Sequence, residues 1–66
     1  MDEMDLGPWA TAKQKLVDSL DLDYYPSDGS VEAAIAAADE DGHHDLDPNN
    51  ENDQEVVFQY LLDLFA

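Results

Sequence analysis

The charge of this chain is almost entirely of one sign, and any fold it adopts must tolerate that imbalance. Seventeen Asp and Glu residues stand against two Lys and no Arg, which gives 66 residues a formal net charge of −15 at pH 7. Like charges at this density destabilise a compact state through self-repulsion and disfavour nonspecific contact with nucleic acid or anionic lipid. The composition therefore favours cationic partners.

The apolar content is high enough to oppose this repulsion. Hydrophobic residues make up 44% of the chain, close to the content of ordinary globular domains, so we expect a folded protein rather than a disordered one. The length fits a single acidic domain over 1–66, and packing alone must hold its core because cysteine is absent. We expect residues 1–6 to form a loosely ordered N-terminal arm.

The apolar periodicity predicts an all-α, compact three-helix domain. Apolar residues recur at spacings of three and four and predict helices over about 8–20, 30–41 and 53–65. A short extended segment near 22–25 is the alternative for the first connection, because apolar and acidic residues alternate there.

Local signals mark the expected helix ends. Pro8 suits the first turn of the first helix, and Ser30 is the expected N-cap of the second. Asn52 and Glu55 have the spacing of a capping box for the third helix, and Gly42 is expected to end the second.

The apolar face of the third helix is wide enough to allow two interpretations. Either this helix is the central element between the other two, or part of its face, with Leu62 and Phe65, forms a contact with a second copy or a partner. The oligomeric state is accordingly expected to be a monomer or a homodimer formed through the C-terminal helix.

No residues in the chain have a recognisable catalytic arrangement. Nucleophilic catalysis would need one of Ser19, Ser27 and Ser30 together with His43 or His44. None of these residues lies in a known motif, and both histidines fall in a polar loop. We therefore expect a binding protein that uses its outer surface, with no enzymatic activity and no cofactor.

A calcium-binding helix-loop-helix module is an alternative function. Asp45, Asp47, Asn49 and Asp53 place oxygen atoms at positions one, three, five and nine of a loop that resembles an EF-hand. The pattern departs at position twelve, where Val56 replaces the usual bidentate Glu. This departure favours an ordinary acidic loop over a specific metal site.

Most of the carboxylates of the chain fall into two groups that a rigid core could hold as a charged array. Such an array can resemble duplex DNA, which carries roughly one charge per 1.7 Å of axis, so a basic groove made for nucleic acid would accept it. The alternative is a salt-adapted, haloarchaeal type of small acidic interaction protein, which twelve Asp against five Glu would also fit. The first group comprises Asp18, Asp21, Asp23, Asp28 and Glu32, and the second comprises Asp39, Glu40, Asp41, Asp45, Asp47, Glu51, Asp53 and Glu55.

In size and charge the chain resembles the small acidic nucleic-acid mimics of phages and mobile elements, including anti-CRISPR and anti-restriction proteins. The resemblance lies in composition and length and rests on no motif. It implies a non-enzymatic inhibitor that occupies the basic DNA- or RNA-binding groove of a host defence protein, with a Cas subunit as the first candidate. No family site residue transfers by position.

The sequence contains no feature that predicts membrane insertion or export. Its first residues are acidic where a signal peptide would be basic, and its longest apolar run, 33–38, is far below the roughly 18 residues of a membrane span. We expect the protein in the cytoplasm, which for a phage-encoded protein is that of the host.

Overall fold

A computed structural model describes residues 7–66 and contains three helices: α1 (Ala10–Leu20), α2 (Asp28–Glu40) and α3 (Glu51–Phe65). Within that range there is no strand, so the all-α, three-helix prediction is confirmed. The segment near 22–25 forms no strand. The prediction of a loosely ordered arm at 1–6 falls outside the described residues.

Helix α3 is the central element of the domain. It packs against both α1 and α2, whereas α1 and α2 bring no pair of Cα atoms within 8 Å of each other. The three largest fully buried side chains come from the two packed helices α1 and α3, and burying each contributes about 1.5–3 kcal/mol. The core comprises Trp9, Ala12, Leu16, Val31, Ala34, Val57 and Leu61.

Helix α1 begins at Ala10 rather than at position 8, and its own N-cap makes no capping bond. The cap residue is Trp9, whose side chain has no acceptor for the first helical N–H groups. The missing acceptor comes from α3: Oε1 of Gln54 accepts a hydrogen bond from the Ala12 N–H at 2.8 Å. Ala12 holds the third helical position, whose N–H a Ser or Asp cap would ordinarily satisfy.

The same amide connects α1 to the loop that precedes α3. Nε2 of Gln54 donates to the Pro8 carbonyl at 3.1 Å and to the Pro48 carbonyl at 2.6 Å. Gln54 is only 5% exposed, and all of its polar atoms have partners. One buried side chain of α3 therefore joins the start of α1 to the loop that immediately precedes α3.

The N-cap of helix α2 lies three residues before the expected one. Ser27 is the N-cap, and its Oγ accepts from the Ser30 N–H at 3.2 Å. The prediction that Ser30 caps this helix is wrong, because Gly29 and Ser30 both lie in the first helical turn.

Helix α3 also begins earlier than expected. Its N-cap is Asn50, whose Oδ1 accepts from the N–H groups of Asn52 and Asp53 at 2.8 and 3.3 Å. The expected capping box of Asn52 with Glu55 is wrong, since both residues lie inside the helix and Glu55 pairs with Lys15 instead.

Both α1 and α2 end in left-handed backbone. After α2, Gly42 has a φ of +104°, the Gly42 N–H bonds the Asp39 carbonyl, and the next N–H bonds the Ala38 carbonyl at 2.9 Å. This is the Schellman pattern, and Gly42 ends the helix as predicted. After α1 the left-handed position is occupied by Asp21, with a φ of +54°. Asp is strained there, and its charge lies at the negative end of the helix dipole.

Replacing Gln54 by Ala should destabilise the domain by about 2–3 kcal/mol, because α1 loses its cap acceptor and two carbonyls lose a buried donor. Urea denaturation followed by circular dichroism measures the change. Gln59→Ala is the matched control, since Gln59 is exposed on the same helix and bonds only Glu55. A Gln54 variant no less stable than this control would contradict the capping role.

Replacing Asp21 by Gly should stabilise the domain by about 1 kcal/mol, because glycine adopts the left-handed conformation without strain and the adverse charge is removed. Asp21→Asn removes the charge but keeps a side chain, and should give a smaller gain. Thermal unfolding of both variants separates the two effects. Equal gains would assign the whole effect to charge and none to backbone strain.

Candidate functional site

The second acidic group lies in three consecutive segments of the chain, next to and within α3. Its residues lie in the last turn of α2, in the loop over 41–50 and in the first turns of α3. Six of the eight side chains belong to exposed residues, and only Asp53 and Glu55 are half-buried.

Two contacts fix how this group runs along α3. At the end of α2, Asp41 accepts a hydrogen bond from the Tyr60 hydroxyl at 2.5 Å, and the His43 ring packs edge-on against the Tyr60 ring. Nearer the start of α3, the Asp47 N–H donates to Asp53 Oδ2 at 2.8 Å. Because Asp53 and Tyr60 are seven residues apart, they lie on one face of α3, about 10 Å apart along its axis.

Segment 39–47 therefore runs along the face of α3 that carries Asp53 and Tyr60. The carboxylates of this segment and of Asp53 form the acidic strip, which extends roughly 10 Å along the helix axis. Glu51 and Glu55 lie two residues before and after Asp53, which places them on the opposite face of α3, where Glu55 meets Lys15 of α1. The acidic strip comprises Asp39, Glu40, Asp41, Asp45, Asp47 and Asp53.

Hydrogen bonds hold several carboxylates of the acidic strip in place. Asp47 Oδ1 accepts from the Asn49 N–H at 2.9 Å and closes a tight turn before α3. Asp39 accepts from His44 Nδ1, which ties the loop to the last turn of α2. The acidic strip is thus positioned by backbone amides and by its own neighbours rather than projecting from an unstructured loop.

Both lysines pair with carboxylates of the same chain. Lys13, whose side chain is 6% exposed, contacts Asp28 at 2.9 Å, and Lys15 contacts Glu55 at 2.7 Å while lying over the Phe58 ring. The hydrogen bond from Lys15 lowers the pKa of Glu55 below its usual value, with a further contribution from Gln59. Asp28 and Glu55 are therefore partly compensated, unlike the other acidic residues of their groups.

The first acidic group divides between two places. Asp18, Asp21 and Asp23 lie at and beyond the end of α1, where Asp18 accepts from Gln14 at 3.2 Å. Asp28 and Glu32 lie four residues apart on α2 and line a groove beside α1. All five belong to exposed residues. The structure thus gives this group no single surface comparable to the acidic strip.

The residues considered for metal binding and catalysis have other contacts. Across residues 7–66, no group of three or more His, Cys, Asp or Glu side chains is arranged to hold a metal ion. In the loop proposed for calcium, Asp47 and Asp53 accept from backbone N–H groups. Ser27 caps α2, and His44 contacts Asp39 rather than a serine.

Two residues that organise the surface around α3 were not predicted from the sequence. The Tyr60 hydroxyl holds Asp41, and the Tyr60 ring contacts His43. Lys15 pairs with Glu55. Neither role has a local sequence signal, because each partner is distant along the chain.

Within residues 7–66, three large apolar side chains remain exposed: Tyr24 at 59%, Tyr25 at 44% and Leu64 at 50%. Leu62 and Phe65, the residues proposed for a dimer contact, pack against the core and are partly buried. Of the C-terminal turn, Leu64 presents the most apolar surface to solvent. A homodimer formed through α3 stays a prediction.

No protein-family model matches the chain, and neither a curated protein nor a solved structure shows significant similarity to it. Among the described residues, no helix is both long enough and apolar enough to cross a bilayer.

The hydrogen bond to Asp41 raises the pKa of Tyr60 above its ordinary value of 10.0, and partial burial and the charges of Asp41 and Asp63 add to the shift. Since the folded pKa is the higher one, this bond stabilises the fold below pH 10 and is lost as the pH rises through the raised pKa. Absorbance titration at 295 nm, subtracting Tyr60→Phe from the wild type, should show a midpoint above 10. Asp41→Asn should return that midpoint toward 10; an unchanged midpoint would show that Asp41 is not the cause.

Proposed function

We propose that this protein is a non-enzymatic inhibitor that mimics the negative charge of DNA. It occupies the basic nucleic-acid-binding groove of a host defence protein, with a CRISPR-Cas component as the first candidate. The observation that carries the proposal is the acidic strip, a set of carboxylates held along one face of a central helix.

The linear charge density of the acidic strip supports this proposal. Six carboxylates over roughly 10 Å amount to about one charge per 1.7 Å, close to the value for the axis of duplex DNA. A groove whose Lys and Arg are spaced for phosphates can therefore pair with the acidic strip at a similar density.

The placement of the two lysines supports it further. Lys13 is buried and contacts Asp28, and Lys15 contacts Glu55 on the α1 side of α3. Each lysine thus lies against a carboxylate of its own chain, and the net charge of −15 remains for a partner to meet. Such a field accelerates encounter with a positive groove and makes the association rate fall steeply with added salt.

The proposed mechanism is competition. Positive side chains of the partner release their bound anions and pair with the carboxylates of the acidic strip, so that DNA or RNA can no longer enter the groove. The order provided by Tyr60 and the α3 N-cap lowers the entropy lost on binding, because the carboxylates are already in position. No covalent bond is made or broken.

Changing the two acidic-strip residues without structural bonds should strongly weaken competition with DNA. In the variant Glu40→Lys, Asp45→Asn, the Asn keeps the left-handed backbone of Asp45, whose φ is +59°. Lys at position 40 lies in the last turn of α2, where the helix dipole favours a positive charge, so the variant should remain folded. Displacement of labelled duplex DNA from a panel of CRISPR surveillance complexes and restriction enzymes measures the effect.

A variant with the same change in net charge provides the control. Asp18→Lys, Asp23→Asn alters residues outside the acidic strip and should retain most of the competition. If the two variants weaken competition equally, net charge rather than a positioned array explains binding. If the wild-type protein displaces DNA from no member of the panel at low salt, the proposed function fails for those targets, as a purely salt-adapted protein would predict.

A further inference from the structure

A groove lies between α1 and α2, away from the acidic strip. Both helices rest on α3 without bringing their own Cα atoms within 8 Å, and the space between them has a volume of about 350 Å³. From α1 it is lined by Trp9 and Lys13, four residues apart and so on one face. This groove is a direct consequence of the central position of α3.

The α2 side of the groove combines an apolar floor with an acidic rim. Asp28, Val31, Glu32 and Ile35 follow one another at the spacings that define one face of a helix. Val31 is 3% exposed and Ile35 is half-buried, so these two apolar side chains form the inner wall of the groove on the α2 side. The carboxylates of Asp28 and Glu32 stand at the edge, and the Asp28 side chain is 87% exposed.

The ion pair between Lys13 and Asp28 does not cancel the acidic rim. Lys13 contacts Oδ1 of Asp28 from inside the protein, since its side chain is 6% exposed. Glu32 is an exposed residue four positions after Asp28, on the same face of α2, and adds a second carboxylate to the rim. An incoming side chain therefore meets apolar surface bordered by negative charge.

We propose that this groove anchors one apolar side chain from a basic segment of the partner, while Lys or Arg residues beside that side chain pair with Asp28 and Glu32. The volume suits a side chain the size of Leu or Phe, the kind of anchor that contributes most at protein interfaces. A second copy of this chain is a poor occupant, because it carries the same net charge of −15.

The inference rests on the proposed function only in taking the partner to be basic, and it adds a hydrophobic contact that salt does not screen. Apolar burial is non-directional and insensitive to ionic strength, whereas the pairing of exposed charges weakens at about 0.15 M salt. An anchor in this groove would keep part of the affinity under such conditions.

Trp9 supplies a direct reporter, because it lines the groove and is the only tryptophan in the sequence. The probes are two capped peptides, Arg-Lys-Ala-Leu-Ala-Lys-Arg and the same peptide with Ser in place of Leu. At about 0.15 M salt the Leu peptide should shift Trp9 emission and bind at least about tenfold more tightly, as expected for burial of one Leu side chain. Equal affinities of the two peptides would overturn the proposal.

Two pairs of comparisons locate the binding site. Glu32→Gln should weaken the Leu peptide about two- to fivefold, whereas Glu40→Gln, the same change on the same helix outside the groove, should leave it within error. Ile35→Gln, checked for an unchanged helical spectrum, should remove the preference for Leu over Ser. If Glu32→Gln and Glu40→Gln weaken binding equally, the peptide binds through general charge and the groove is not its site.

The outcome is independent of the test of the acidic strip. A groove that binds the Leu peptide in a protein that displaces no DNA would leave this inference intact and refute the proposed function for those targets. Loss of DNA competition in the acidic-strip variant, together with indifference to Leu or Ser in the peptide, would retain the function and discard the anchor.

Discussion

The amide of Gln54 is the interaction on which the arrangement of the three helices depends. Helix α1 has no cap of its own, and the acceptor for its third N–H comes from the side chain of Gln54 in α3. The same group bonds the carbonyls of Pro8 and Pro48, so it also fixes where α1 begins and where the loop reaches α3. A buried amide is costly unless its donors and acceptor are all satisfied, and here they are. The bond geometry therefore favours one docking of α1 on α3, which apolar packing alone would specify less sharply.

The apolar core stabilises the folded state, whereas repulsion among the surface charges destabilises it. A small core must hold a chain whose charges repel one another, and a domain of this length has only a few kcal/mol of net stability, on the order of 3–5. The fold moderates the conflict locally: Asp28 and Glu55 receive the two lysines, and Asp39 and Asp41 receive His44 and Tyr60. What remains is a set of unpaired carboxylates that stability does not require. Residues that weaken a fold and are nevertheless held in order are reasonable candidates for function.

The number, type and approximate extent of the helices follow from sequence, because apolar spacing of three and four is a local property. Each of the three predicted helix starts differs from the observed one by two residues. Ser27 and Asn50 compete with Ser30 and Asn52 for the same role, and only the packed structure selects between them. The sequence predicted a group of acidic residues, but it did not predict how they would align as the acidic strip. Its alignment depends on Asp41 meeting Tyr60 and Asp47 meeting Asp53, contacts between separate segments that no local pattern encodes. The groove likewise arises from the gap between α1 and α2, which only the central position of α3 creates.

The confinement of both lysines to α1 has a consequence for proteolysis. Trypsin cleaves after Lys or Arg, and in this chain those bonds follow only Lys13 and Lys15, inside a helix whose buried face includes Lys13 itself. A helix must open locally before a protease can bind its backbone, so the rate of tryptic cleavage reports the opening of α1 alone. From Leu16 onward the sequence offers no further tryptic site, and digestion leaves α2 and α3 on one large, strongly acidic fragment.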